Sequence, residues 1–177
     1  DNGIAAFTYS PSEVTAKVGN NVSVVISEDT YYPMDNRISF TIKEVKNKTK
    51  QVEFPLHLRI PKWCKRAEII VNGKAEQYIE GGRIAVINRI WKRNDNVELH
   101  LPMEVSTWYE NAVTIERGPL VYALKIKENW KKENLNNSWY GPHYYQVTSS
   151  EPWNYGLVDF DRSQVNKIAQ VSIDSQK

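Results

Sequence analysis

An all-β fold, an antiparallel β-sandwich of jelly-roll type with part of a second sandwich behind it, is what the sequence predicts, and three observations predict it. Apolar and polar residues alternate with period two along most of the chain. Turn residues interrupt the alternation at intervals of roughly 8–12 residues, giving about ten strands. Helix-favouring composition is confined to Lys125 to Leu135, where Ile126, Trp130 and Leu135 miss a clean helical spacing, so the segment reads as a charged excursion with a helical turn. Of 177 residues, 41% are hydrophobic and 25% charged, a composition that excludes disorder and collagen-like repeats.

The elements follow in order. Glu13 to Ser27 holds two β-rich runs around Gly19-Asn20-Asn21, a reversal that calls for positive φ, and reads as a hairpin. In Arg37 to Val45, Ile38, Phe40 and Ile42 share one face and Ser39, Thr41 and Lys43 the other, which predicts a half-buried strand. Val52 to Ile60 sets Phe54, Leu56, Leu58 and Ile60 against Pro55, His57 and Arg59, and the proline suits an edge or a strand start. Ala67 to Val71 runs into Asn72-Gly73, the pair that fits a type I′ turn. Gly81-Gly82 marks another reversal. Arg83 to Trp91 carries apolar groups on both faces, which predicts a central strand. Asp95-Asn96 turns the chain again, and Val97, Leu99 and Leu101 oppose Glu98 and His100 until Pro102 ends the run. Further strands are expected at Val105 to Tyr109, Ala112 to Glu116, Leu120 to Ile126 and Tyr144 to Thr148.

Residues 1–126 therefore read as a β-sandwich domain, and residues 127–177 as an aromatic loop and the start of a second β-rich unit. The first residue is Asp1 rather than Met, so the polypeptide reads as a processed chain or part of a longer one. With 23 basic and 21 acidic side chains the formal charge is +2. No long-range field points to nucleic acid or anionic lipid, and the lysine-rich runs Lys43 to Lys50 and Lys125 to Lys132 are interleaved with glutamate as in solvated loops. No apolar run is long enough to span a membrane, so neither nucleic acid nor membrane is an expected partner.

Self-contained catalytic chemistry is sparse. GxSxG, a Walker loop and GxGxxG are absent, which removes the usual serine hydrolase, P-loop and dinucleotide readings. Cys64, the one cysteine, excludes an internal disulfide; it reads as a nucleophile only with a histidine beside it, and otherwise as a small packed hydrophobe. The three histidines, His57, His100 and His143, have no metal-binding spacing, so no protein-only zinc site is expected. Carboxylate pairs such as Glu28 with Asp29 or Asp159 with Asp161 exist, but nothing in their spacing selects one for glycoside hydrolysis. Glu116 and Arg117 precede Gly118-Pro119, as an ion pair or as a contact reaching another domain.

Aromatics are the enriched resource: 6 tryptophans and 10 tyrosines. Their rings combine flat apolar faces with a polar edge, which suits packing, protein interfaces and sugars alike. Trp139, Tyr140, Tyr144, Tyr145, Trp153 and Tyr155 crowd one segment, with His143 among them. Trp139, Tyr140, His143, Tyr144, Trp153 and Tyr155 are the candidate ligand-binding residues, set against the reading that the cluster packs inside the fold or against another domain. No catalytic or metal residue is assigned.

Several phrases in sequence carry a resemblance: LHLRIPKWC (Leu56 to Cys64), VNGK (Val71 to Lys74), GGRIAVINRIWKRNDNVELHLPMEV (Gly81 to Val105) and ERGPLVYAL (Glu116 to Leu124). With IAAFTYSPSEV (Ile4 to Val14) and EPWNYGL (Glu151 to Leu157), they resemble the β-sandwich region of the β-L-arabinofuranosidase family, glycoside hydrolase family 127 and its relatives. The resemblance implies an N-terminal (α/α)6 barrel that carries catalysis, with sandwich domains packed on it and contributing to assembly, including a homodimer. It also implies a zinc-bound cysteine nucleophile within a cluster of three cysteines and a glutamate, in or next to the barrel. Cys64 does not match that cluster, so no cofactor is expected here and zinc is expected in the parent's catalytic domain. The implied role is a non-catalytic accessory domain whose partner is that barrel. The alternative is a carbohydrate-binding module for plant-type glycans that uses the aromatic cluster 139–155.

Overall fold

The computed structural model describes residues 2–109, 113–137, 139 and 141–152. They form fourteen strands and no helix. Residues 4–100 hold nine of them: β1 (Ile4–Ala6), β2 (Ser12–Val18), β3 (Val22–Thr30), β4 (Arg37–Lys46), β5 (Gln51–Arg59), β6 (Arg66–Val71), β7 (Lys74–Glu80), β8 (Ile84–Lys92) and β9 (Asn96–His100). A six-stranded sheet runs β2-β3-β4-β9-β6-β7, and a three-stranded sheet runs β1-β5-β8. All pairings are antiparallel except β1 with β5.

Period two is what binds these sheets into a sandwich. Ile38, Phe40 and Ile42 of β4, Val97 and Leu99 of β9 and Ala67, Ile69 and Val71 of β6 all point inward from the large sheet. Phe54, Leu56 and Leu58 of β5 and Ala85, Ile87 and Trp91 of β8 meet them from the small one. Trp91 is fully buried, lies 5.8 Å from the Phe54 ring and donates its indole N–H to the Phe54 carbonyl at 2.9 Å. That bond removes the one polar penalty of burying an indole.

The expected turns form where the chemistry allows them. Gly19 and Asn21 take φ of +43° and +65° between β2 and β3, and Asn72 and Gly73 take +50° and +79° between β6 and β7. Two expectations are corrected. β8 is an edge strand, not a central one: its outward apolar row, Ile84, Val86 and Ile90, is exposed. Pro55 lies inside the middle strand of the small sheet, but just outside the pairing with β1, which begins at Leu56, so no donor is required there. The expected reversals at Gly81-Gly82 and at Asp95 carry the chain from one sheet to the other.

Asp95 organises the second crossing. It is almost fully buried, and its carboxylate accepts the Asn72 amide N–H at 2.9 Å and the Lys92 backbone N–H at 2.9 Å. The Asn72 side-chain oxygen, Oδ1, in turn accepts the Asn96 N–H at 2.8 Å. The tight turn after β6 is thereby tied to the start of β9.

Beyond the sandwich lie β10 (Val105–Tyr109), β11 (Val113–Arg117) and β12 (Leu120–Tyr122), an antiparallel sheet, and a hairpin of β13 (Asn129–Asn137) and β14 (Gly141–Thr148). Lys125 to Leu135 is therefore no helical turn: from Asn129 onward it is strand, because pairing with β14 overrides its composition. Gly118, at φ +58°, comes so close to Met103 that an added Cβ would meet its Cγ at 2.8 Å.

Candidate functional site

The densest group of interacting polar side chains crosses the outer face of the six-stranded sheet. Register places Arg37 of β4 opposite His100 of β9, and His100 opposite Glu68 of β6, which faces Tyr78 of β7. Arg37 Nε lies 3.8 Å from Glu98, and His100 lies 3.3 Å from Glu98 through Nε2 and 3.6 Å from Glu68 through Nδ1. The Tyr78 hydroxyl donates to Glu68 at 2.8 Å, and Arg66 sits 4.4 Å over the Tyr78 ring. The Glu68 carboxylate beside it holds the Tyr78 phenol above its ordinary value. Acid, base and aromatic alternate, so the ladder neutralises itself across four strands. His100 was legible only as a polar-face histidine; its neighbours come from strands far apart in sequence.

At one end of this ladder, the loop after β3 overhangs the sheet and closes an open recess of about 630 Å³ lined by Asp29, Tyr31, Asp35, Arg37, Ser39 and His100, among others. Within the loop the Tyr31 carbonyl accepts the N–H groups of Met34 and Asp35. The Tyr31 ring is 81% exposed.

A second recess opens at the sandwich edge, between β1 and the β2–β3 hairpin. Its walls are apolar, from Ile4, Val14, Ile26, Phe40 and Leu56, and Glu28 reaches in from the Ile26 face of β3. The Glu28 carboxylate accepts the Ser10 N–H at 2.9 Å, yet burial pushes it up to about 7. Alternation turns Asp29 to the opposite face, so Glu28 and Asp29 do not converge as a catalytic pair. Asp159 and Asp161 lie outside the described residues.

The aromatic candidates divide. Trp139, 90% exposed, sits at the tip of the β13–β14 hairpin. Tyr140, Trp153 and Tyr155 lie outside the described residues. His143 and Tyr144 are neighbours on β14 and so point to opposite faces. His143 instead joins Tyr145 at 5.8 Å, and Tyr145 joins Trp130 of β13 at 6.0 Å, both edge to face. Trp130, opposite Val147 in the register, was not among the candidates. Its signal is the two-residue step from His143 to Tyr145, which becomes informative once the segment is taken as a strand.

Cys64 is fully buried, and burial pushes its thiol up, away from the thiolate a nucleophile needs. His57 lies on the outer face of the small sheet, and alternation along β11 places Glu116 and Arg117 on opposite faces. The single cysteine is sealed in the core, and among the described residues no group of three or more His, Cys, Asp and Glu side chains is placed to hold a metal ion.

Comparison with known proteins bears on this arrangement. The family described as "Beta-L-arabinofuranosidase, GH127 middle domain" matches residues 3–103, the span of the closed sandwich. No curated protein matches the chain. Among solved structures, a glycoside hydrolase is similar at 27% identity and a TM-score of 0.62, over 89% of this chain and 30% of that one. A GH127 β-L-arabinofuranosidase from Geobacillus stearothermophilus T6 follows at 24% and 0.60, over 89% and 28%. A further GH127 β-arabinofuranosidase, at 20% and 0.59, is covered over 28% of its length by 84% of this chain. The chain thus spans about a third of the length of the solved structures it matches.

Proposed function

This chain belongs to the GH127 β-L-arabinofuranosidase family, with residues 3–103 its middle domain, and on that premise we propose that it is a non-catalytic accessory sandwich supporting the catalytic barrel of a larger glycoside hydrolase. One observation carries the reading: the sandwich fills its own interior while leaving apolar rows uncovered on its outside. Phe7, Ile84, Val86 and Ile90 stand exposed around the small sheet, and Trp108, Val121 and Leu124 around the sheet that follows. Such rows on a protein surface mark a face that packs against something, and a helical barrel presents the ridged apolar surface that a β-sheet face covers. The buried Cys64 and the divergent Glu28 and Asp29 fit an accessory role, since the two carboxylates do not flank one glycosidic bond and the thiol is sealed in the core.

The test is hydrolysis of an aryl β-L-arabinofuranoside by the purified 177-residue chain beside the enzyme that carries its barrel. Turnover is expected from the second alone. Clear turnover by the 177-residue chain defeats the proposal.

A further inference from the structure

We propose that the recess between the loop after β3 and the outer face of the large sheet is a binding site for a neutral sugar ring. The inference goes beyond the accessory role and does not depend on it. Four charged or titratable side chains converge there from separate elements: Asp29 from β3, Asp35 from the loop, Arg37 from β4 and His100 from β9. These polar groups share one concave recess with the Tyr31 ring, and about 630 Å³ lies within the range that ligand pockets occupy.

Chemistry selects the ligand class. Two carboxylates face one guanidinium, so an anion such as phosphate meets as much repulsion as attraction. A lipid or other apolar ligand finds no aliphatic hydrophobic side chain in the lining, where Tyr31 is the one aromatic hydrocarbon ring. A sugar hydroxyl both donates and accepts: it can give a hydrogen bond to Asp29 or Asp35 and take one from Arg37. Arg37 is free to turn toward a ligand, because its ion pair with Glu98 is long at 3.8 Å and its side chain is 60% exposed. Tyr31 supplies at the rim the aromatic face on which the apolar side of a sugar ring stacks.

L-arabinose titrated into the 177-residue chain, followed by amide chemical shifts, tests the site. Saturable shifts at Asp35, Arg37, Ser39 and His100 are expected at millimolar sugar, with affinity falling about tenfold in each of Arg37→Ala and Tyr31→Ala. Both positions are exposed, so folding is retained and the unchanged remainder of the spectrum reports it. Absence of saturable shifts, unchanged affinity in both variants, or equal displacement by inorganic phosphate overturns the proposal.

Discussion

Trp91 and Trp130 both lie on β-strands, and nothing else about their surroundings is alike. Trp91 is 0% exposed, wedged between two sheets with its N–H committed to the Phe54 carbonyl. Trp130 is 62% exposed, touches one tyrosine edge to face and donates its N–H to Glu128. The same contrast holds for their regions. Residues 4–101 bury an apolar core between two sheets, whereas among the described residues after Leu101 none is buried. Both regions pair their strands antiparallel, β1 with β5 excepted, but alternation stabilises a sheet only when a second layer covers its apolar face. The sandwich contains its own second layer, and the strands beyond it do not.

The widest separation is expected from tryptophan truncation. Trp91→Ala removes the largest fully buried side chain and leaves a cavity with an unsatisfied carbonyl, at a cost of about 3–5 kcal/mol. Urea denaturation of the 177-residue chain checks it. A loss below about 1 kcal/mol would mean that the sandwich is not the cooperative unit.

Next comes the crossing between the sheets. Asp95→Ala strips the partner from the Asn72 side-chain amide and the Lys92 N–H in a nearly closed environment, which costs about 2–4 kcal/mol. Loss of hydrogen-exchange protection is expected at Asn72 and Asn96 before the β2–β3 hairpin loosens, because the Asp95 carboxylate holds the turn after β6 and the end of β8 and touches neither β2 nor β3.

Glu28 gives a smaller and pH-dependent effect. Its folded value, about 7, lies above the ordinary carboxylate value of 4.5 because burial disfavours the charge. The neutral form therefore contributes stability that is fully present below pH 4.5 and is lost as pH rises through 7. Glu28→Gln keeps the acceptor for Ser10 and removes the ionisation, so the variant matches the parent at acid pH and exceeds it at alkaline pH. Solvent reaches this half-buried group, and the gain is held to about 1 kcal/mol by screening. Thermal melts at pH 4 and pH 8, on the two sides of the titration, read it.

The same contrast explains what could be read without coordinates. Ile38, Phe40 and Ile42, or Val97, Leu99 and Leu101, announce a strand with one buried face, and Asn72-Gly73 announces its turn, because each signal is local. What decides sheet membership is not local. β8 alternates with apolar residues on both faces and so looked central, yet it is an edge whose outer row is exposed. The family resemblance was carried by a few phrases, and the matched span ends at residue 103, where the core also ends. The site residues were the least legible part. The His100 ladder joins β4, β9, β6 and β7, and the Trp130, Tyr145 and His143 row depends on a hairpin register that composition alone placed in a charged excursion.

The smallest expected effect is also the most discriminating about the accessory role. In the 177-residue chain, Trp130→Ala and Ile90→Ser remove side chains that are more than half exposed, and each is expected to change stability by less than about 0.5 kcal/mol. If these rows face the rest of a glycoside hydrolase, the same substitutions in the full-length enzyme create a polar gap in a packed surface. There each should cost about 1–2 kcal/mol, seen as a lower melting temperature with the kcat of that still-folded hydrolase unchanged. A stability loss that grows with chain length assigns the cost to an interface rather than to the strand itself. An equal, negligible loss in both settings would leave the two regions different in packing but alike in role, and would remove the exposed rows as the reason for the sandwich's place in the enzyme.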